Sequence, residues 1–149
     1  MHSFEEVMRH AIQHEDAEAA FYQEMAARSK SAEQRDIMLE HARQEGDHKR
    51  RLQEILANDR LPSPGVRRFP DPDLKLSDYL VVDERPVVSL DYQEALLLAA
   101  KREKKAQKLY QDLAALAETP EVRAALVFLA EQEGKHAQAL EQAYDDTLQ

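Results

Sequence analysis

The second half of this sequence repeats the first. Shifting the chain by 88 residues aligns 8–54 with 96–142 without a gap, and fourteen positions are then identical. Among them are Glu15/Glu103, Tyr22/Tyr110, Glu45/Glu133, Gly46/Gly134 and His48/His136. A gapless repeat this long restricts the fold to two copies of one supersecondary unit and the segment that joins them.

Each copy reads as a helical hairpin. Ser3 with Glu6 and Ser31 with Gln34 have the spacing of capping boxes, as does Asp91 with Glu94, while Thr119 followed by Pro120 is an N-cap with proline at the first helical position. Helical periodicity after these signals predicts helices at 3–29, 32–58, 91–117 and 120–146. The turns near 29–31 and 118–119 are short, so each pair runs antiparallel. Residues 59–90 differ in kind, holding five of the six prolines and Gly65. About 30 residues suffice to run the length of a helix and start the next hairpin at its far end. The expectation is an all-α four-helix bundle with internal two-fold pseudosymmetry, two antiparallel helical hairpins joined by a long crossover: one domain over 1–149, with 59–90 as crossover connection.

Composition agrees and narrows the function. Gly is scarce and Trp absent, which favours helix. A formal charge of −9 argues against a nucleic-acid partner. The absence of cysteine excludes disulfides, thiolate zinc sites, iron–sulfur clusters and cysteine nucleophiles from this sequence. The first residues, Met1-His2-Ser3-Phe4-Glu5-Glu6, lack the basic and apolar regions of a signal peptide. Apolar runs such as Ala95–Ala100 fall far short of a membrane span. The expected setting is cytoplasmic, with no membrane partner.

The repeated polar residues lie where a core should be. Glu15 and Glu45 are equidistant from Lys30, and Glu103 and Glu133 are equidistant from Glu118. A helix that climbs and returns by the same number of residues places its two glutamates side by side. The apolar seams run through them. Helix two gives Met38, His41, Glu45, His48, Leu52, Ile55, and helix four gives Leu126, Leu129, Glu133, His136, Leu140, Ala143. Helix one gives Phe4, Met8, Ala11, Glu15, Glu18, Tyr22, Met25, and helix three gives Leu96, Ala99, Glu103, Ala106, Tyr110, Leu113. Four buried carboxylates are strongly unfavourable unless cations meet them, and two divalent ions would balance their charge.

Glu-x-x-His suits that task, because residues three apart share a helix face and can converge on one ion. Alone the motif is weak: with 17 Glu and 6 His, about 0.7 such pairs arise by chance. Two at matching places in a gapless repeat, each level with a seam glutamate, mark a metal site. Its ligands are then Glu15, Glu45, His48, Glu103, Glu133 and His136. Oxygen-rich ligation with one imidazole per ion and no thiolate favours iron or manganese, with zinc as a further option. Glutamates from two helices plus Glu-x-x-His from the other two is the di-iron carboxylate pattern of ferritin-like bundles.

Other residues stay open. Tyr22 and Tyr110 are either core aromatics or residues that support the ligands or relay electrons. His41 belongs to the core or backs the ligands, and His2, His10 and His14 read as surface residues. The charged stretches Lys101–Lys105 and His48–Arg51 flank the seam as solvated faces. Glu18 falls on the seam where its repeat mate is Ala106. It is a candidate fifth carboxylate, able to take or leave one metal with redox state.

These motifs resemble one family. Ala11-Ile12-Gln13-His14-Glu15 running to Phe21-Tyr22 resembles the first helix of rubrerythrin-type ferritin-like proteins. Ala99-Ala100-Lys101-Arg102-Glu103 running to Leu109-Tyr110, and Leu129-Ala130-Glu131-Gln132-Glu133-Gly134-Lys135-His136, resemble the third and fourth. Leu74-Lys75-Leu76-Ser77-Asp78-Tyr79-Leu80 is similar to the connector of the short members. The resemblance covers nearly the whole chain and implies a di-iron site on those six ligands with chemistry toward peroxide or dioxygen. Full-length rubrerythrins carry a cysteine-ligated rubredoxin domain, and this sequence has no cysteine for one, so turnover would need an external donor such as a rubredoxin-like protein. Peroxidase-type members share an extra glutamate on the third helix, where this chain has Ala106.

The expected function is a di-iron oxidoreductase that reduces hydrogen peroxide or dioxygen. The alternatives are a ferroxidase or iron-handling protein, and a non-catalytic metal-binding bundle. A homodimer is the expected assembly.

Overall fold

In the computed structural model, residues 4–57, 76–79 and 89–149 are described, with Phe4 and Leu76 by their backbone alone. Four α-helices and one 3-10 turn account for nearly all of them: α1 Phe4–Arg28, α2 Ala32–Ala57, the 3-10 turn Leu76–Tyr79, α3 Tyr92–Leu116 and α4 Pro120–Thr147. No strand occurs among the described residues. The all-α class and the four helices are those read from the sequence. The helix ends differ from expectation by one residue, which is within the ordinary fraying of helix termini. Ser3, the proposed cap of α1, lies outside the described residues, as does most of the 59–90 connection.

The chain divides into two compact units, Met1–Lys75 and Leu76–Gln149. In the first, α1 and α2 form a hairpin whose turn is closed from both sides. Ser29 N–H donates to Ala26 O at 3.2 Å, and Ser29 Oγ donates to Met25 O at 2.7 Å. Ser31 Oγ then accepts from Gln34 N–H at 3.1 Å and starts α2. The buried face of α1 holds Val7, Met8, Ala11, Phe21, Tyr22, Met25 and Ala26, and that of α2 holds Met38, Ala42, Leu52 and Ile55. Burial of such side chains typically contributes about 1.5–3 kcal/mol for each large one, which is what holds an amphipathic hairpin closed.

The second unit repeats this design with different turn chemistry. Ala117 N–H donates to Ala114 O at 3.2 Å, and the Arg123 guanidinium donates to Ala117 O at 3.0 Å. Thr119 Oγ1 accepts from Val122 N–H at 3.3 Å, with Pro120 at the first helical position. Asp91 caps α3 by accepting from Glu94 N–H at 2.7 Å. The 3-10 turn packs on α3. Tyr79 Oη donates to Asp112 Oδ2 at 2.7 Å, Lys105 Nζ donates to Asp78 O at 3.1 Å, and Lys108 Nζ lies 5.7 Å from the Tyr79 ring centre. The connection expected to be an extended crossover therefore contains an ordered anchor on the following helix.

Candidate metal centre

Each hairpin places its own two repeated glutamates at one distance from its own turn. Thirteen residues separate Glu15 from the end of α1, and thirteen separate the start of α2 from Glu45. The same count holds from Glu103 to the end of α3 and from the start of α4 to Glu133. Both glutamates of each hairpin thus sit roughly 20 Å from their turn.

In the first hairpin, Glu15, Glu45 and His48 each bring a donor atom within 4.8 Å of the others. His48 Nδ1 lies 3.5 Å from Glu15 Oε2 and 3.8 Å from Glu45 Oε2. In the second, Glu103, Glu133 and His136 do the same. His136 Nδ1 lies 3.7 Å from Glu103 Oε2 and 4.0 Å from Glu133 Oε2. All four glutamates are fully buried, and both histidines are 2% exposed. Charged side chains are almost never this buried without partners.

Burial pushes the Glu15 carboxyl up, but hydrogen bonding with Glu45 and His48 and the nearby charges of His14 and His48 outweigh it. The group is held below its ordinary value of 4.5 and stays ionised at neutral pH. A short-range set of ionised carboxylate and imidazole is what a divalent cation needs. Two carboxylates and one imidazole per hairpin, without thiolate, match the hard-to-intermediate ions iron and manganese. The buried clusters are compatible with a di-iron site, and each could hold a metal ion.

The remaining candidates fall as follows. Glu18 is buried, and so is its repeat mate Ala106. Tyr22 and Tyr110 are fully buried, with Tyr22 edge-on to Phe21 at 5.3 Å and to His41 at 5.0 Å between ring centres. His41 is half-buried, and Ala42 beside it takes the buried position, so the α2 seam is rotated slightly from the expected one. Burial pushes the His41 imidazole down to about 4, so it is neutral at pH 7. On α4, Ala143 is half-buried where Leu140 ends the core. His10 is half-buried rather than fully exposed, and His2 lies outside the described residues.

His14 departs furthest from expectation. It is half-buried, and one of its ring nitrogens lies within 4.8 Å of a Glu18 carboxylate oxygen. The signal available in the sequence was the four-residue spacing of His14 and Glu18 with Glu18 already on the seam.

A family model for the ferritin-like domain matches residues 5–146, and the chain belongs to that family. No curated protein matches the chain significantly, and no solved structure does. Among the described residues, no helix is long and apolar enough to cross a membrane.

Proposed function

We propose that this chain is a di-iron carboxylate oxidoreductase of the rubrerythrin type, reducing hydrogen peroxide or dioxygen with electrons from an external donor. The observation that carries the reading is the pair of matched, fully buried Glu/Glu/His clusters in a ferritin-like chain. Glu15, Glu45 and His48 would hold one ion, and Glu103, Glu133 and His136 the other. When bound, reduced iron supplies the two electrons that take one hydrogen peroxide to water.

The chain's own residues set the conditions. Four carboxylates offset the charge of two divalent cations, and one imidazole per hairpin supplies a neutral donor whose charge does not change with the oxidation state of the ion. On the helices that carry the clusters, Met8 and Ala11 in one hairpin and Leu96 and Ala99 in the other are fully buried and give each cluster an apolar lining along the seam. Tyr22 and Tyr110 complete this lining, and we assign them a supporting or electron-relay role. Glu18 is a further carboxylate within reach of metal. The external donor is a small redox protein of the rubredoxin-like kind, and the assembly is a homodimer.

One observation favours a second reading, iron handling by ferroxidase chemistry. The position where peroxidase-type relatives place an extra glutamate is the buried Ala106. Stopped-flow absorbance of Fe(II)-loaded protein mixed with peroxide separates the cases. The oxidoreductase reading expects rapid oxidation and repeated turnover once a reductant is added. Oxidation without turnover supports ferroxidase action instead, and no oxidation supports a non-catalytic metal bundle.

A further inference from the structure

Gln107 stands one turn after Glu103 on α3, and helical residues four apart share a face. The end of its side chain rests on the backbone of α4 at Gly134, which lies between the ligands Glu133 and His136 in the chain. A Cβ on Gly134 would stand 2.5 Å from Gln107 Nε2, 3.0 Å from its Cδ and 3.4 Å from its Oε1. Only a residue without a Cβ lets the amide settle this closely. Glycine is unfavourable inside a helix, and at 134 this contact gives its presence a reason. Gln107 and Gly134 are both half-buried, so the amide covers the α3–α4 flank beside the Glu133/His136 motif.

The first hairpin is the control. Ala19 takes the place of Gln107, and Gly46 that of Gly134. A Cβ on Gly46 would meet nothing within 4 Å, so this flank is open where the other is covered. The ligands of the two hairpins are the same in kind and buried to the same degree. The Gln107 cover is therefore a difference in surroundings and not in the donor set.

We propose, on the reading of the two Glu/Glu/His clusters as metal sites, that Gln107 is a positioning residue which closes the α3–α4 flank over the Glu133/His136 motif and slows metal exchange there. The first cluster exchanges past Ala19 and Gly46, which leave its flank uncovered. Identical ligand sets then give one fast site and one slow site in the same chain, and the first cluster empties before the second.

Stopped-flow release of Co2+ from the loaded chain to excess EDTA tests this, with the visible absorbance of cobalt as the readout. Wild type is expected to release its ions in two phases, separated by roughly tenfold or more, the scale on which groups around metal ligands act. Gln107→Ala is expected to accelerate the slow phase alone. Gln107→Met, which keeps the length and flexibility of the side chain, should hold the slow phase near the wild-type rate. Ala19→Gln should slow the fast phase, because Gly46 leaves room for the new side chain. Single-phase release in wild type, or phases unchanged in Gln107→Ala and Ala19→Gln, overturns the role of Gln107 and leaves the clusters standing. A folded wild-type chain that binds no Co2+ overturns the clusters and this role together.

Discussion

His48 Nδ1 lies 3.5 Å from Glu15 Oε2, an imidazole from one helix meeting a carboxylate from the other across the first hairpin. The pair His136 and Glu103 reproduces it at 3.7 Å in the second. Two copies of one arrangement make the two halves of the chain comparable, so each hairpin serves as a reference for the other.

Removing a buried carboxylate has opposite effects with and without metal. In chelator-treated protein, Glu45→Gln replaces one of two clustered buried carboxyls, keeps an N–H to donate to Glu15, and is expected to raise stability by about 1–3 kcal/mol in urea unfolding. With metal present the same change removes a ligand and lowers the midpoint. Glu133→Gln should behave alike, since it occupies the repeated position. Loss of stability in both states would mean that these carboxylates serve as structural hydrogen-bond groups.

Metal binding should raise the thermal midpoint. An ion at a hundred times its dissociation constant adds about 2.7 kcal/mol for each site. At about 2–4 °C per kcal/mol for a chain of this size, two ions shift the midpoint by roughly 10 °C or more. Differential scanning calorimetry before and after dialysis against a chelator measures this. An unchanged midpoint would argue against both clusters.

His41 makes stability depend on pH. Its folded value is about 4 and its unfolded value 6.5, because burial disfavours the charged ring. Between these values the unfolded chain binds the extra proton, so stability rises with pH. The contribution is complete above pH 6.5 and is lost as pH falls toward 4. Between pH 7 and pH 5 wild type should lose about 2 kcal/mol more than His41→Leu in the same metal state. Parallel losses in the two proteins would show that His41 does not titrate this way.

The two repeated glycines should respond differently to alanine. Both lie inside helices, where Gly→Ala typically stabilises by about 0.5–1 kcal/mol. A Cβ at Gly46 would meet nothing within 4 Å, so Gly46→Ala is expected to show this gain. At Gly134 the new Cβ would come within 2.5 Å of Gln107 Nε2 and 3.0 Å of its Cδ, so the end of this flexible side chain must move and the gain is reduced. The repeat mate of Gln107 is Ala19, a short side chain. Gln107→Ala combined with Gly134→Ala should restore the gain, as read by thermal unfolding.

Much of this was legible before the structure. Asp91, Thr119 and Ser31 announce helix starts through local chemistry, each accepting from a backbone N–H three residues on, and local chemistry is what a sequence states directly. Glu45 with His48, and Glu133 with His136, were legible because three-residue spacing and the repeat are both linear properties. What was not legible depends on small rotations and on tertiary contact. Ala42 rather than His41 takes the buried place because a helix seam wider than one residue can turn by a fraction of its circumference. The anchor from Tyr79 to Asp112 spans 33 residues and has no local signature. His14 looked like a surface residue because its approach to Glu18 is a matter of side-chain direction.

Metal analysis of protein purified without oxygen and desalted decides whether the two Glu/Glu/His clusters are metal sites. Wild type is expected to hold two ions tightly per chain, predominantly iron, with one lost in Glu45→Gln, one in Glu133→Gln and both in the double variant. Metal content well below one per chain in folded wild type, or the same content in wild type and the double variant, would contradict it.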